Sequence, residues 1–350
     1  MRPAQSETAG LAAGLRSKAL NPGQRVLAWL PGLLALIALA FVLLQFGELK
    51  RLSALLRGLH PAWVALGGLA QFGTYMAAAS VWYVVLSRAA HRRHLAGLLL
   101  LGVAKLFMDQ ALPSGGISGS VLVVAALRRR GVSPRIATAA LLIGLLSFYL
   151  AFLSAAGASL IILALDHALN SGIVLVVIAF LFIALALIFA IVWLRRRPRG
   201  SRFESWLRYL PMGRPFWNAI REAPSKLLKD IPLLLSTTAL QISIIALDSV
   251  TLWLMLLALR TEASFAVAFA SFVLASIIAD VAPVPLGLGS FEAALVSLLT
   301  LSGTGLEAAF AATILLRGLT FWAPMLPGLW LARREIRLAG DGEPPASAVH

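Results

Sequence analysis

The sequence predicts an all-α polytopic membrane protein, with about six transmembrane helices plus two inverted re-entrant hairpins (eight apolar units if the hairpins span fully). Three observations carry this expectation. The 350 residues are 60% hydrophobic and only 13% charged, with mean hydropathy +0.88, where soluble domains carry about 25% charge. Apolar runs approaching or exceeding the roughly 20 residues that cross a bilayer recur along the chain. Two further apolar stretches are broken in the middle by proline and glycine. A membrane β-barrel does not fit, because its strands are about 10 residues long and alternate in polarity.

Full spans are expected near 27–46, 63–86, 136–164, 172–194, 232–258 and 308–331, and the interrupted stretches are 95–127 and 264–302. Residues 1–26 are polar and basic and precede the first span without a small-residue cleavage pattern, which predicts a retained first helix. Residues 47–60 place Leu49, Leu52, Leu55, Leu56 and Leu59 on one helical face, as a helix lying on the membrane surface does. The basic stretch 202–230, within a cytoplasmic connection spanning 195–231, mixes Phe203, Trp206 and Trp217 with cations and reads as interfacial or as a solvated loop. Residues 336–350 read as a disordered tail. With no cysteine, disulfide and thiolate chemistry are excluded.

The net charge of +15 is distributed in a way that points to a membrane and away from nucleic acid. With the N-terminus inside, 24 of the 30 Lys and Arg fall on the cytoplasmic side, including Arg88–Arg93, Arg128–Arg135, Arg195–Lys229 and Arg333–Arg337. That is the positive-inside asymmetry, and it predicts cytoplasmic N- and C-termini. The basic loops suit anionic lipid head groups.

The interrupted stretches resemble each other. A shift of 172 residues lays 113–140 on 285–312 without a gap, with nine identities in 28 positions. Pro113 meets Pro285, Gly115 meets Gly287, Ser118 meets Ser290 and Gly131 meets Gly303. The expected repeat covers 95–165 and 264–331. The stretch after the first break, Ile117–Leu127, makes only about 16 Å of helix, roughly half the hydrocarbon thickness, so each unit reads as a re-entrant hairpin or as a pair of thin spans. Three full spans separate the units, so the second enters from the opposite side. Inverted repeats with discontinuous helices are a transporter architecture, with the site where the repeats meet.

Each break is followed by a helix start whose free N–H groups and positive dipole end suit an anion such as phosphate. Gly115, Gly116, Ser118, Gly119 and Ser120 surround one start, and Gly287, Gly289 and Ser290 the other. The alternative is that these small residues only allow close helix packing. Charges inside apolar segments mark pairs or sites, because a charge in mid-bilayer costs several kcal/mol. Lys105 and Asp109 stand four apart before the first break; Asp280 precedes the second, Glu292 follows it, and Arg317 lies near the centre of the last span. Asp248 and Gln241 interrupt the sixth. Arg317 is expected to pair with Glu292 or to bind a lipid phosphate. The acids are candidates for contacting a cationic head group or carrying coupling ions. The five histidines lie in loops or tails and no phosphate-binding G-x-x-x-x-G-K-[ST] occurs, so no enzyme, metal or cofactor is expected.

At the two interrupted stretches, "DQALPSGGISGSVLVVAALRRRGVSPRIATAA" and "PVPLGLGSFEAALVSLLTLSGTGLEAAFAATILLRGLTFWAP", the sequence resembles the lysylphosphatidylglycerol synthase transmembrane-region family over most of residues 27–335. Pro285, Gly287, Gly289, Glu292 and Arg317 match the family's second motif. In the first motif Gly119 matches, but Ser120 stands where the family usually has glutamate. The resemblance implies a stand-alone bacterial inner-membrane flippase. It would move an anionic or aminoacylated phospholipid, a hopanoid or a lipid-linked glycan between leaflets, with the head group between the hairpins. An ion-coupled carrier of a small solute and a non-transporting scaffold for a lipid-synthesis enzyme are the other readings.

Overall fold

The computed structural model describes residues 58–91, 93–111, 117–165, 171–196, 224–282 and 289–340. The expected first span, most of the two interfacial stretches, both breaks (112–116 and 283–288) and the tail from 341 lie outside these residues. Every regular element among the described residues is a helix. In order they are α1 (Pro61–Arg88), α2 (Leu95–Ala111), α3 (Ile117–Arg129), α4 (Pro134–Leu165), α5 (Ser171–Arg196), the short α6 (Ser225–Leu228), α7 (Ile231–Ala258), α8 (Phe265–Val281), α9 (Ser290–Leu301) and α10 (Leu306–Arg317). A π-helical turn, Gly318–Trp322, then leads into α11 (Ala323–Gly340).

Among the described residues, four runs are long and apolar enough to cross a membrane: α1, α4, α7 and the continuous Leu306–Leu338. Two differences from the sequence reading stand out. The helix after the first break reaches Arg129, two residues past Leu127, because the arginines favour the negative end of its dipole. Residues 336–340, expected in the tail, complete α11, because Glu335 anchors that end to arginines of α3.

Local chemistry sets the helix starts. Pro61, Pro134 and Pro232 stand in first turns, where a missing N–H costs nothing. Asp230 accepts from the Leu233 amide at 3.1 Å and Ser264 from Val267 at 3.2 Å, as N-caps do. Arg88 donates to Asp230 at 2.7 Å, and this bond, more than the Leu233 amide, holds the carboxyl below the usual carboxylate range.

The α1–α7 pair is the spine of the molecule. Arg88 at the end of α1 meets Asp230 at the start of α7, and the His60 amide donates to Ala258 at the other end, so the two helices run antiparallel. Both are 28 residues long, and a shift of 170 lays one on the other. They also end alike. Ala90 and Arg260, the matching residues, have φ of 60° and 59°. His91 donates back to Leu86, and Thr261 to Leu256, in the same 6→1 closure.

The correspondence continues. Helices α2 and α8 are each 17 residues. At a shift of 172, Arg129 falls on Leu301 and Pro134 on Leu306, so the ends of α3 and α9 and the starts of α4 and α10 coincide. Gly131 and Gly303, with φ of 79° and 92°, take the left-handed turn that glycine adopts freely, and Val132→Leu127 matches Thr304→Leu299 in hydrogen bonding. Helix α2 packs on α11 and α8 packs on α4, so each interrupted unit leans on the long helix of the other half.

The interior is built from small residues. Ala151, Ala155, Ala156 and Ala268, Ala270, Ala275 are buried beside Ala309, Ala311 and Ala312, so backbones approach closely. Large side chains face outward instead, among them Leu69, Phe182, Leu235 and Leu326, which suits hydrocarbon contact. Helix α2 crosses α11 closely, where a Cβ at Gly328 would stand 2.6 Å from Phe107 Cβ and 3.0 Å from the Val103 carbonyl. Gly328→Val is therefore expected to lower the melting temperature in detergent, by an overpacking cost of about 1–3 kcal/mol. Gly157→Ala, where nothing lies within 4 Å of the added carbon, leaves it unchanged or higher.

Candidate functional site

The second interrupted unit places its charges in one cluster. Gly289 caps α9 with φ 86°, and its amide donates to Glu292 Oε2 at 2.7 Å. The acid thus sits in the first turn, where the helix dipole favours it. Its other oxygen, Oε1, lies 2.6 Å from Arg317 Nε, and both side chains are more than four-fifths buried. The Nε hydrogen is not aligned on an acceptor, so the contact is a charge pair more than a directed hydrogen bond. The guanidinium lies over Phe291, 4.2 Å from the ring centroid, and 5.7 Å from that of Phe321. Two aromatic faces so help hold a cation that water does not solvate. Among the described residues the buried hydroxyl of Ser290 has no hydrogen-bond partner.

The first unit reaches a similar end by another route. Lys105 Nζ pairs with Asp109 Oδ2 at 2.5 Å, and Asp109 Oδ1 accepts from the Gly119 amide at 3.0 Å. Ser118 Oγ donates to the Met108 carbonyl at 2.8 Å, so the start of α3 folds back onto the end of α2. Only glycine fits at 119, since a Cβ would stand 2.3 Å from Asp109 Oδ1. Ser120, the position that matches Glu292, carries no acid, and Asp109 of the entering helix satisfies a helix-start amide in its place.

The expected residues thus gather in two separate clusters. Among the described residues no hydrogen bond or ion pair joins Lys105 or Asp109 to Glu292 or Arg317. Pro113, Gly115, Gly116, Pro285 and Gly287 fall in the breaks, outside the described residues. Asp280 is exposed at the end of α8. Gln241 donates to the Gly144 carbonyl at 3.4 Å and ties α7 to α4. Asp248 accepts from Thr74 at 3.3 Å.

Several contributors were not legible as site residues beforehand. Phe291 and Phe321 are ordinary aromatics in an apolar sequence, although Phe321 stands one helical turn from Arg317. Glu335 belongs to no motif in the sequence, yet it binds Arg129 at 2.6 Å and also Arg130, whose carbonyl in turn accepts from Arg93. A cavity of about 170 Å³ opens there, between α2 and α11, lined by Leu100, Arg130, Leu331, Arg334 and Glu335; it is not at Arg317.

The family model described as the lysylphosphatidylglycerol synthase TM region matches residues 28–328. The chain belongs to that family and is a multi-pass membrane protein. No curated protein matches it.

Removing one partner of the Arg317–Glu292 pair leaves a buried charge unanswered, at a cost of about 3–5 kcal/mol. Arg317→Met or Glu292→Gln alone should therefore lower the melting temperature in detergent more than the double substitution does. A loss in the double variant equal to the sum of the two single losses would mean that the pair carries no coupling.

Proposed function

With membership of this family as the premise, we propose that the protein translocates a polar-headed lipid between the leaflets of the bacterial inner membrane, with both termini in the cytoplasm. The observation that carries the reading is the Arg317–Glu292 cluster at the start of α9. It joins a buried guanidinium, the positive end of a helix and an unpartnered Ser290 hydroxyl, the groups that recognise a lipid phosphate. Glu292 pairs with Arg317. An arriving phosphate takes the guanidinium, and the released carboxylate becomes available to an ammonium on the same head group. Lys105–Asp109 at the start of α3 offers the same exchange in the other unit.

The two units are read as inverted re-entrant hairpins that meet near mid-membrane. The antiparallel α1–α7 pair and the matching lengths and turns of the two halves support this. Broken backbone at membrane depth then borders protein and a polar cavity instead of lipid. The cargo class is membrane lipid, anionic or aminoacylated phospholipid first, with hopanoid or lipid-linked glycan as alternatives. Translocation needs no catalysis and no cofactor.

The test is leaflet exchange of fluorescent phospholipids with anionic, zwitterionic and cationic head groups in vesicles holding the purified chain, read by quenching from outside. Exchange above empty vesicles is expected, and Arg317→Ala and Glu292→Gln abolish it while the protein still elutes as folded. Wild-type exchange equal to that of empty vesicles for every lipid overturns lipid translocation and favours a solute carrier or a scaffold.

A further inference from the structure

Of the acids within the membrane-length helices and interrupted units, Asp109 and Glu292 each face a cation and a helix-start amide. Asp248 does not. It lies well inside α7 and accepts from the Thr74 hydroxyl of α1, with Gln71 alongside. The titratable groups on the helices packed against α7 are Tyr75, Tyr83 and Arg88 on α1, Arg135 and Tyr149 on α4, Asp280 on α8, and Glu307 and Arg317 on α10. Among the described residues none of them forms an ion pair with Asp248; Tyr75, one turn from Gln71, is the one that faces it. An ionised carboxylate without a counter-charge is not stable in such a place, so it takes up a cation.

The neighbours suit a proton. Thr74 can donate to the carboxylate or accept from the carboxylic acid, and the Gln71 amide does either after a half-turn. Gln71 is only 4% exposed, and among the described residues its Oε1 has no hydrogen-bond donor, which a protonated carboxyl beside it provides.

The same cluster reaches the Arg317 site. In the π turn the Ala323 amide bonds back to Gly318, five residues earlier. The next such donor, for the Leu319 carbonyl, falls on Pro324, which has no N–H. The freed Leu319 carbonyl accepts instead from Tyr75 Oη at 3.1 Å. Leu319 is two residues from Arg317, and single π turns within α-helices are frequent at functional sites.

We infer that Asp248, with Thr74 and Gln71, is the proton-binding site that couples transport to an ion gradient, and that Tyr75 relays its charge state to the π turn beside Arg317. The carboxylate takes one proton from water and later returns it to water on the other side; no other bond changes. The coupling rests on the transport reading; the proton site does not.

Two arms separate them. Infrared difference spectra of the full chain in lipid nanodiscs, acidic against alkaline buffer, report a membrane-buried carboxylic acid without any cargo. The acid band is expected in wild type and Asp280→Asn, shifted in Asp248→Glu and lost in Asp248→Asn. A band that survives Asp248→Asn, or vanishes in Asp280→Asn, overturns the assignment. So does a response to sodium that replaces the response to pH. In vesicles with labelled phosphatidylglycerol, Asp248→Asn and Tyr75→Phe should both exchange lipid without any dependence on a proton gradient, Tyr75→Phe keeping the infrared band. Gradient dependence that persists in Tyr75→Phe overturns the relay. A wild type that shows the band but no lipid exchange keeps the proton site and counts against the lipid cargo alone.

Discussion

Inside a bilayer no water pairs a free amide, a free carbonyl or a charge, so each must be answered by protein. This constraint organises the molecule. Several departures from regular apolar helix in the described residues come with a specific partner. The Gly119 amide has Asp109, the Gly289 amide has Glu292, and the Leu319 carbonyl freed ahead of Pro324 has Tyr75. Arg317 has Glu292 and two aromatic faces. Among the described residues, an acid without a counter-charge, Asp248, and buried polar atoms without a hydrogen-bond partner, the Gln71 oxygen and the Ser290 hydroxyl among them, are then informative.

The two halves meet the constraint differently. Both begin a short helix after a broken stretch and close it with a left-handed glycine, at Gly131 and Gly303. In the second half the acid that answers the helix start belongs to that helix; in the first it reaches over from the entering helix, and Ser120 is left neutral. The cations differ as well, one on the entering helix and one on the long final run. The repeat thus keeps its backbone turns while its charges sit on different elements.

Much of the architecture was legible in the sequence, because hydropathy and proline–glycine breaks report directly on which backbone can lie in lipid. The spans near 63–86, 136–164, 172–194 and 232–258 fall within two residues of α1, α4, α5 and α7. The Arg317–Glu292 pair was legible for the same reason: charge is rare there and must be paired. The repeat of α1 in α7 was not. It lives in equal lengths and equal terminal turns, at residues as unlike as Ala90 and Arg260, and not in identities. Nor was the Tyr75–Leu319 contact, since it follows from a π register that no periodicity announces. Glu335 carries no sequence signal either, since only the fold brings Arg129 and Arg130 to it.

The account depends most on the two halves entering the membrane from opposite sides. The chain has no cysteine of its own, so single cysteines can be read without background. Ser133→Cys, after α3, and Ser302→Cys, after α9, occupy nearly matching turns of the two halves. In inside-out and right-side-out vesicles treated with a membrane-impermeant thiol reagent, the account predicts that Ser133→Cys reacts from the cytoplasmic face and Ser302→Cys from the opposite face. Labelling of both from the same face would contradict the inverted arrangement and, with it, a site built between two opposed hairpins.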